Sequence, residues 1–105
     1  MNHKSAVILS ACRTPIGSFG GSLKNLSADA LGAVVIRDTV DRSGVDPSEI
    51  GDVIMGCVLQ AGSGMNIARP ASLEAGLPQE VPAETINRVC GSGLQAVVHA
   101  VEGVR

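Results

Sequence analysis

A cysteine followed by two glycines is the feature of this chain best suited to chemistry. Residues 87–94 read NRVCGSGL. A strand-like run leads into Cys90, and apolar residues at i, i+3, i+4 and i+7 from Leu94 predict a helix after it. A helix N-terminus presents unpaired N–H groups and a partial positive charge, which favour a thiolate and could stabilise an oxyanion on an attacked thioester. The pattern predicts covalent acyl transfer through Cys90.

Two other interpretations of the same residues stay open on spacing alone. A lone cysteine at the junction of two elements is more often a small buried hydrophobe. Gly91, Gly93 and Ala96 also match a relaxed dinucleotide fingerprint, which would make the chain a non-catalytic nucleotide-binding module. That fingerprint belongs to the first strand–helix turn of its unit, and the acidic residue expected about 20 positions further on would lie beyond Arg105.

The two histidines are poor partners for this cysteine. His99 lies nine positions after Cys90 along the predicted helix. That spacing puts it on the opposite face and roughly 13 Å away, so we expect a surface or packing role. His3 lies at the chain start.

The remaining reactive side chains have simpler explanations. Cys12 and Cys57 lie at the end of or inside apolar runs, so we expect them to be structural. Arg69 and Arg88 have the chemistry to bind phosphate, but surface ion pairs are the expected role of each. The glycine-containing loop at residues 62–64 is compatible with anion contact and is equally explained by turn chemistry.

The elements that must position Cys90 follow an alternating order. Apolar runs predict buried strands at residues 6–11 and 53–59, and residues 84–89 are interpreted as a third strand. Start and stop signals predict helices between them, from Ser27 to Gly44, as a short turn at Asp46 and Pro47, from Asn66 to Gly76, and after Cys90. The order strand, helix, strand, helix, strand, helix predicts an α/β fold with a parallel sheet and right-handed crossovers.

One proline conflicts with this scheme. If Asn66 caps its helix, Pro70 falls at the fourth helical position, where it removes a backbone hydrogen bond. The cost would be about 3 kcal/mol unless the helix begins later.

Composition excludes several functional classes. The chain has 105 residues, a net charge of −2, 45% apolar residues and one aromatic residue, Phe19. It lacks the basic stripe and stacking aromatics of a nucleic-acid binder and any apolar run of membrane-spanning length. The three cysteines have neither metal-ligand nor CxxC spacing, and no signal-peptide pattern is present, so we expect a cytoplasmic protein without metal or disulfides.

Four segments together resemble the N-terminal part of the thiolase family, the acetyl-CoA acetyltransferases. They are residues 10–17 (SACRTPIG) with 19–21 (FGG), then 53–56 (VIMG), 64–69 (GMNIAR) and 87–94 (NRVCGSGL). They follow one another in the family's order and spacing, and the last is highly specific. Pro70 departs from the pattern, because relatives usually have a polar residue compatible with a helix there.

The resemblance implies an activity and one site residue. Thiolases join two acyl-CoA molecules into a 3-ketoacyl-CoA or cleave one with CoA, without a further cofactor. The family's acyl-accepting cysteine matches Cys90. Its activating histidine, its second cysteine, its oxyanion-site histidine and asparagine, and its CoA-binding loop match nothing in this sequence. The resemblance also implies a homodimer or homotetramer.

The ending of the chain and a related family complete these expectations. No C-cap glycine or return strand precedes Arg105, so we expect residues 1–105 to be a truncated N-terminal part of the thiolase N-terminal domain, inactive alone. Ketoacyl synthases share the fold and a cysteine at the same junction, and they remain an alternative. The NRVCGSG form resembles thiolases more closely.

Overall fold

The sheet of the structure consists of two parallel strands. A computed structural model describes residues 5–105, which leaves His3 outside the described residues. The strands are β1 (Val53–Gly56) and β2 (Ala83–Ile86), with Val53 opposite Ala83 and Gly56 opposite Ile86. The helices are α1 (Ala28–Ser43), α2 (Ala68–Glu74) and α3 (Ser92–Val104), and a 3₁₀ turn spans Pro47–Glu49. The predicted α/β class and the parallel pairing are confirmed.

The first helix begins and ends where the sequence predicts. The Ser27 hydroxyl accepts a hydrogen bond from the Ala30 amide at 3.3 Å. At the other end Gly44 adopts a φ of 74°, a left-handed conformation that glycine enters without a Cβ clash. The 3₁₀ turn is likewise capped, because the Asp46 carboxylate accepts from the Ser48 amide at 2.9 Å. These capping residues determine where α1 and the 3₁₀ turn begin and end.

The predicted strand at residues 6–11 is wrong. The segment has no partner strand among the described residues, and the exposed fractions of Val7 and Ile8 are 75% and 80%. It is instead attached to α1 through side chains. The Ser10 hydroxyl donates to the Thr39 carbonyl at 2.6 Å, and the Cys12 sulfur lies 3.0 Å from the Thr39 hydroxyl. An apolar run becomes a strand only where a neighbouring strand accepts its backbone hydrogen bonds.

The two strands that form are shorter than predicted. The first was expected at residues 53–59 and ends at Gly56, although the Cys57 amide still donates to the Ile86 carbonyl at 3.0 Å. The second was expected at 84–89 and ends at Ile86, because the backbone turns sharply before Cys90. Because β2 ends at Ile86, Cys90 lies in the turn after the strand and outside the sheet.

Asn66 does not cap α2, so that prediction is wrong. The residue before the helix is Ile67, and no side chain of its own caps the end. The Asn66 amide group donates to the Ala83 carbonyl at 2.9 Å, and its oxygen accepts from the Thr85 hydroxyl at 2.6 Å. Thr85 also accepts from the Ala68 amide at 3.0 Å, so β2 caps α2 from outside.

The later helix start removes the conflict at Pro70. The proline becomes the third residue of α2, where a backbone N–H has no partner within the helix. No ladder hydrogen bond is therefore lost. The helix ends at Glu74, and Gly76 follows with a φ of 89°.

The core lies between α1, α2 and β1. It is built from small and branched side chains: Ile36, Val53, Ala68, Ala71, Leu77 and Val81. Gly32 lets α1 approach α2, because a Cβ at that position would lie 3.1 Å from the Ala71 Cβ. Phe19, the one aromatic residue, is fully exposed. Within residues 5–105, no helix has both the length and the apolar character needed to cross a membrane.

Candidate active site

Cys90 occupies the turn between β2 and α3, as predicted. β2 ends four residues before it, and α3 begins two residues after it, with Gly91 as the N-cap. The residue is exposed, and the three cysteines are free thiols. Its place at a strand-to-helix junction is thus established, and its role as nucleophile stays a prediction.

The residue before Cys90 has an unusual backbone. Val89 adopts a φ of 50°, the left-handed region, and it is the single non-glycine residue with a positive φ among those described. For a β-branched side chain this conformation is a genuine outlier, with a cost of about 1–3 kcal/mol. Such strain persists only where the surroundings hold it in place.

Ser92 holds the turn from the helix side. Its hydroxyl accepts from the Arg88 amide at 2.8 Å and donates to the Val89 carbonyl at 2.6 Å. The residue is 4% exposed, so water does not compete for these bonds. The first residue of α3 therefore closes the backbone loop that contains Cys90.

Asn87 holds the same turn from the strand side. Its side-chain oxygen accepts from the Val89 amide at 2.9 Å, and its NH₂ group donates to the Val58 carbonyl at 3.2 Å. The second bond reaches across 29 positions of sequence to the segment that follows β1. Asn87 thus connects the Cys90 turn to the neighbouring loop.

Gly56 determines how closely α3 approaches the sheet. A Cβ at this position would lie 2.4 Å from the Ser92 carbonyl carbon and 2.5 Å from the Gly93 nitrogen. Real Cβ atoms do not come so close to backbone atoms, so only glycine fits here. The last residue of β1 therefore sets the position of the helix that follows Cys90.

The backbone amides around Cys90 fall into two groups. Some donate to carbonyls of the turn itself, and others have no acceptor among the described residues. The Gly91 amide donates to the Arg88 carbonyl at 3.0 Å, and the Ser92 amide donates to the Val89 carbonyl at 3.2 Å. For the amides of Cys90, Gly93 and Leu94, no acceptor is found among residues 5–105. A Cβ on Gly93 would meet no atom within 4 Å, so a substrate can reach the backbone there.

The predicted ion pairs of the two arginines are not formed within the described residues. Arg88 donates to the neutral Gln95 side chain at 2.6 Å. Arg69 donates to the carbonyls of Val81 at 3.0 Å and Gln79 at 2.9 Å. The guanidinium groups instead satisfy an amide oxygen and turn carbonyls, which need donors where no helix or strand supplies them.

His99 lies away from the Cys90 turn, as its spacing predicts. Its Nδ1 is 3.6 Å from a carboxylate oxygen of Glu84 on β2, and both side chains are partly exposed. Cys12 and Cys57 are half-buried, and the Cys57 sulfur lies 3.7 Å from the Leu59 carbonyl oxygen. The structure brings none of these three side chains into the hydrogen bonds of the Cys90 turn.

Sequence reasoning missed three residues of this site. Asn87 and Gly56 lie in segments that resemble the thiolase pattern, but their roles depend on partners 29 and 36 positions away. Ser92 lies at the start of the helix that is predicted after Cys90. Its spacing of four residues from Arg88 was the one local signal that could have identified it.

Comparisons with known proteins agree on one family. The model of the family described as "Thiolase, N-terminal domain" matches residues 6–105. An acetyl-CoA acetyltransferase of Syntrophomonas wolfei is 49% identical over 102 residues, which are 97% of this chain and 26% of that protein. An acetyl-CoA acetyltransferase of Cupriavidus necator is 57% identical over 98 residues, which are 93% of this chain and 25% of that protein.

A solved structure extends the agreement to the fold. The crystal structure of a thiolase from Ascaris suum, in complex with coenzyme A, matches with a TM-score of 0.93 and 42% sequence identity. The match covers 96% of this chain and 26% of that one. The chain thus spans about a quarter of the length of the curated relatives that it matches.

Proposed function

Because this chain belongs to the thiolase N-terminal domain family, we propose that it supplies the nucleophile, Cys90, of an acetyl-CoA acetyltransferase. The complete protein would condense two acetyl-CoA into acetoacetyl-CoA and CoA, or carry out the reverse thiolysis. The observation that carries the proposal is an exposed thiol on a strand-to-helix turn that side-chain hydrogen bonds hold in place. The turn also contains backbone amides without an acceptor among the described residues.

The proposed first step is a transfer of the acetyl group between two sulfurs. The Cys90 thiolate attacks the thioester carbonyl of acetyl-CoA, and its sulfur–carbon bond forms as the carbonyl oxygen takes the negative charge. The amides of Cys90, Gly93 and Leu94 are the candidate donors to that oxyanion. The bond between the carbonyl carbon and the CoA sulfur then breaks, and CoA leaves as a thiolate that takes up the proton released when Cys90 became a thiolate.

The second step of the proposal uses residues outside this chain. The deprotonated methyl carbon of a second acetyl-CoA attacks the acetyl carbonyl carbon on Cys90, the bond between that carbon and the Cys90 sulfur breaks, and acetoacetyl-CoA leaves as Cys90 returns to the thiolate. The thiolase resemblance assigns the base, the second cysteine and the CoA-binding loop to segments beyond these 105 residues. Residues 1–105 are proposed to be the N-terminal part of the enzyme's N-terminal domain, which agrees with their share of the relatives' length. We expect no thiolysis from this chain alone.

Assembly and location are part of the same proposal. A homodimer or homotetramer of the complete protein is proposed from the resemblance to thiolases. A cytoplasmic location is supported by three free thiols, since oxidising compartments favour disulfides. Light scattering of the complete protein would test the assembly.

The family match favours thiolase chemistry over both alternatives. A ketoacyl-synthase-like condensing enzyme would use the same cysteine, but the matched model and the named relatives are thiolases. A nucleotide-binding module would carry its glycine fingerprint at the first strand–helix turn of its unit, whereas Gly91 and Gly93 follow β2, the second strand. Saturable NAD binding with no acyl labelling of Cys90 would reverse this preference.

Acyl labelling of the complete protein tests the function. Incubation with radiolabelled acetyl-CoA should attach the acetyl group to Cys90, and Cys90→Ala should abolish the label. Cys57→Ala is the matched control, because it removes a half-buried thiol next to β1 and should leave the label in place. Label retained in Cys90→Ala would overturn the assignment.

A further inference from the structure

The Cys90 turn depends on a backbone conformation that valine does not adopt by itself. Val89 has a φ of 50°, and its peptide groups are held on both sides. The Val89 amide donates to the Asn87 side chain at 2.9 Å, and the Val89 carbonyl accepts from the Ser92 hydroxyl at 2.6 Å. The direction in which the chain enters Cys90 is thus set by two side chains.

These two side chains act over different distances. Ser92 contacts residues three and four positions before it, so its bonds stay within the turn. Asn87 contacts Val89 with its oxygen and Val58 with its NH₂ group at 3.2 Å. Val58 follows β1, so Asn87 is the side chain that connects the Cys90 turn to the adjacent loop by a hydrogen bond.

We propose that Asn87 is a positioning residue for Cys90, which fixes the left-handed turn at Val89 and its place relative to the loop at Val58. The inference rests on the proposed function, because it concerns the reactivity of the same cysteine. The two hydrogen bonds of Asn87 need an acceptor and a donor on one planar group, which an amide side chain supplies. A turn displaced by about 1 Å moves the sulfur and the Cys90 amide together, and such displacements reduce rates by up to about a hundredfold.

Three variants of the complete protein separate the two bonds. Asn87→Ala removes both, and Asn87→Asp keeps the acceptor for Val89 but loses the donor to Val58. The double variant Asn87→Ala, Val89→Gly removes the side chain and permits the positive φ, since glycine adopts it without strain. Asn25→Ala is the matched control, because Asn25 is exposed and makes no side-chain hydrogen bond to another described residue.

Two rates of Cys90 are then measured beside the thermal midpoint. They are the alkylation rate with iodoacetamide across pH and the rate of labelling by acetyl-CoA. We expect Asn87→Ala to slow acetyl labelling by about tenfold to a hundredfold and to change the pH profile of alkylation. Asn87→Asp should lie between wild type and Asn87→Ala, and Val89→Gly should restore part of the loss. Asn25→Ala should match wild type.

The outcomes distinguish this inference from the proposed function. If wild type is labelled at Cys90 and Asn87→Ala keeps its labelling rate and alkylation profile within twofold, Asn87 is not a positioning residue. A loss that follows the unfolded fraction alone, with no recovery by Val89→Gly, overturns it as well. If wild type is not labelled at all, the proposed function fails and the inference fails with it.

Discussion

At the scale of single residues, one buried hydroxyl has no hydrogen-bond partner among the described residues. Ser72 on α2 is 0% exposed, and no partner for its oxygen is found among residues 5–105. The neighbouring Thr85 shows the contrast, because its hydroxyl bonds both Asn66 and the Ala68 amide. A buried polar group without a partner costs stability, about 1–3 kcal/mol from mutational data.

Ser72→Ala should therefore stabilise the fold. We expect the free energy of unfolding to rise by about 1 kcal/mol, since the unpaired hydroxyl is removed and alanine is the better helix former. Urea unfolding of the complete protein, with the denaturant slope unchanged, measures the change. Ser22→Ala, at an exposed position, should change stability by less than about 0.5 kcal/mol. A destabilised Ser72→Ala would mean that the hydroxyl has a partner elsewhere in the protein.

Residues whose partners are close in sequence could be predicted, and those with distant partners could not. Ser27, Gly44 and Asp46 act on backbone groups within three residues, so their types identify the ends of elements. Asn66 has the same cap-forming side chain, but it bonds Ala83 and Thr85, which lie 17 and 19 positions away. Its misassigned cap, and the proline conflict that followed from it, come from one long-range contact.

At the scale of elements, the contact between β1 and α3 depends on one glycine. Gly56→Ala should push the start of α3 outward, because the new Cβ would lie 2.4 Å from the Ser92 carbonyl carbon. We expect a loss of about 1–3 kcal/mol of stability from overpacking. Acetyl labelling of Cys90 should fall by up to about a hundredfold as its turn moves.

The control for this prediction is Gly51→Ala. Gly51 lies just before β1, has no positive φ, and a Cβ there would meet no atom within 4 Å. It should keep both the unfolding midpoint and the labelling rate. Equal behaviour of the two variants would show that α3 can move without effect on Cys90.

The contact between α1 and α2 contains a pair of carboxyl groups with opposite pKa changes. The hydrogen bond from Glu74 lowers the pKa of Asp29, and the same hydrogen bond raises the pKa of Glu74. The stability that Asp29 contributes to the fold is lost as pH falls through its folded-state pKa. The stability that Glu74 contributes is complete below its unfolded-state pKa and is lost as pH rises through its folded-state pKa. The pair therefore stabilises most near pH 4, where one proton is shared.

Glu74→Gln should remove this pH dependence. An amide keeps a donor for Asp29 at every pH, so the variant should have a higher thermal midpoint than wild type at pH 7 and a similar one near pH 4. Thermal unfolding at both pH values measures the difference. Glu102→Gln, an exposed change on α3, is the control. An equal shift at both pH values would exclude the shared proton as its cause.

Element order could be predicted from the sequence, and sheet membership could not. The β1–α2–β2–α3 order follows from periodicity and caps, which are local properties. Whether residues 6–11 join the sheet depends on a partner strand, which periodicity does not reveal. The four-residue β2 likewise ends where Asn87 bonds Val58, a contact that no residue pattern within 84–89 contains.

At the scale of the whole molecule, the described residues bury little of their apolar surface. Core residues are mostly small, whereas Phe19, Met65, Leu59 and Ile16 are almost fully exposed. The apolar stripe of α3 is also largely uncovered, with Leu94 72% exposed. Apolar patches of this kind in a folded protein are usually covered by other protein.

The chain expressed alone should therefore bind hydrophobic dyes and self-associate. We expect ANS fluorescence well above that of the complete protein, because the apolar side chains have no cover. Sedimentation at several concentrations would measure association, and the variant Phe19→Ser should reduce dye binding. A monomeric chain without ANS fluorescence would contradict this prediction.

The connection from Asn87 to Val58 has a consequence for biosynthesis. Synthesis proceeds from the N-terminus, and the described residues that fix the Cys90 turn, Gly56, Val58, Asn87 and Ser92, leave the ribosome within one short interval. Both side chains that bond within the turn have their partners once α3 has emerged. In the proposed enzyme, the turn that carries Cys90 would then be complete on the nascent chain before the segments assigned to the base and the second cysteine are synthesised.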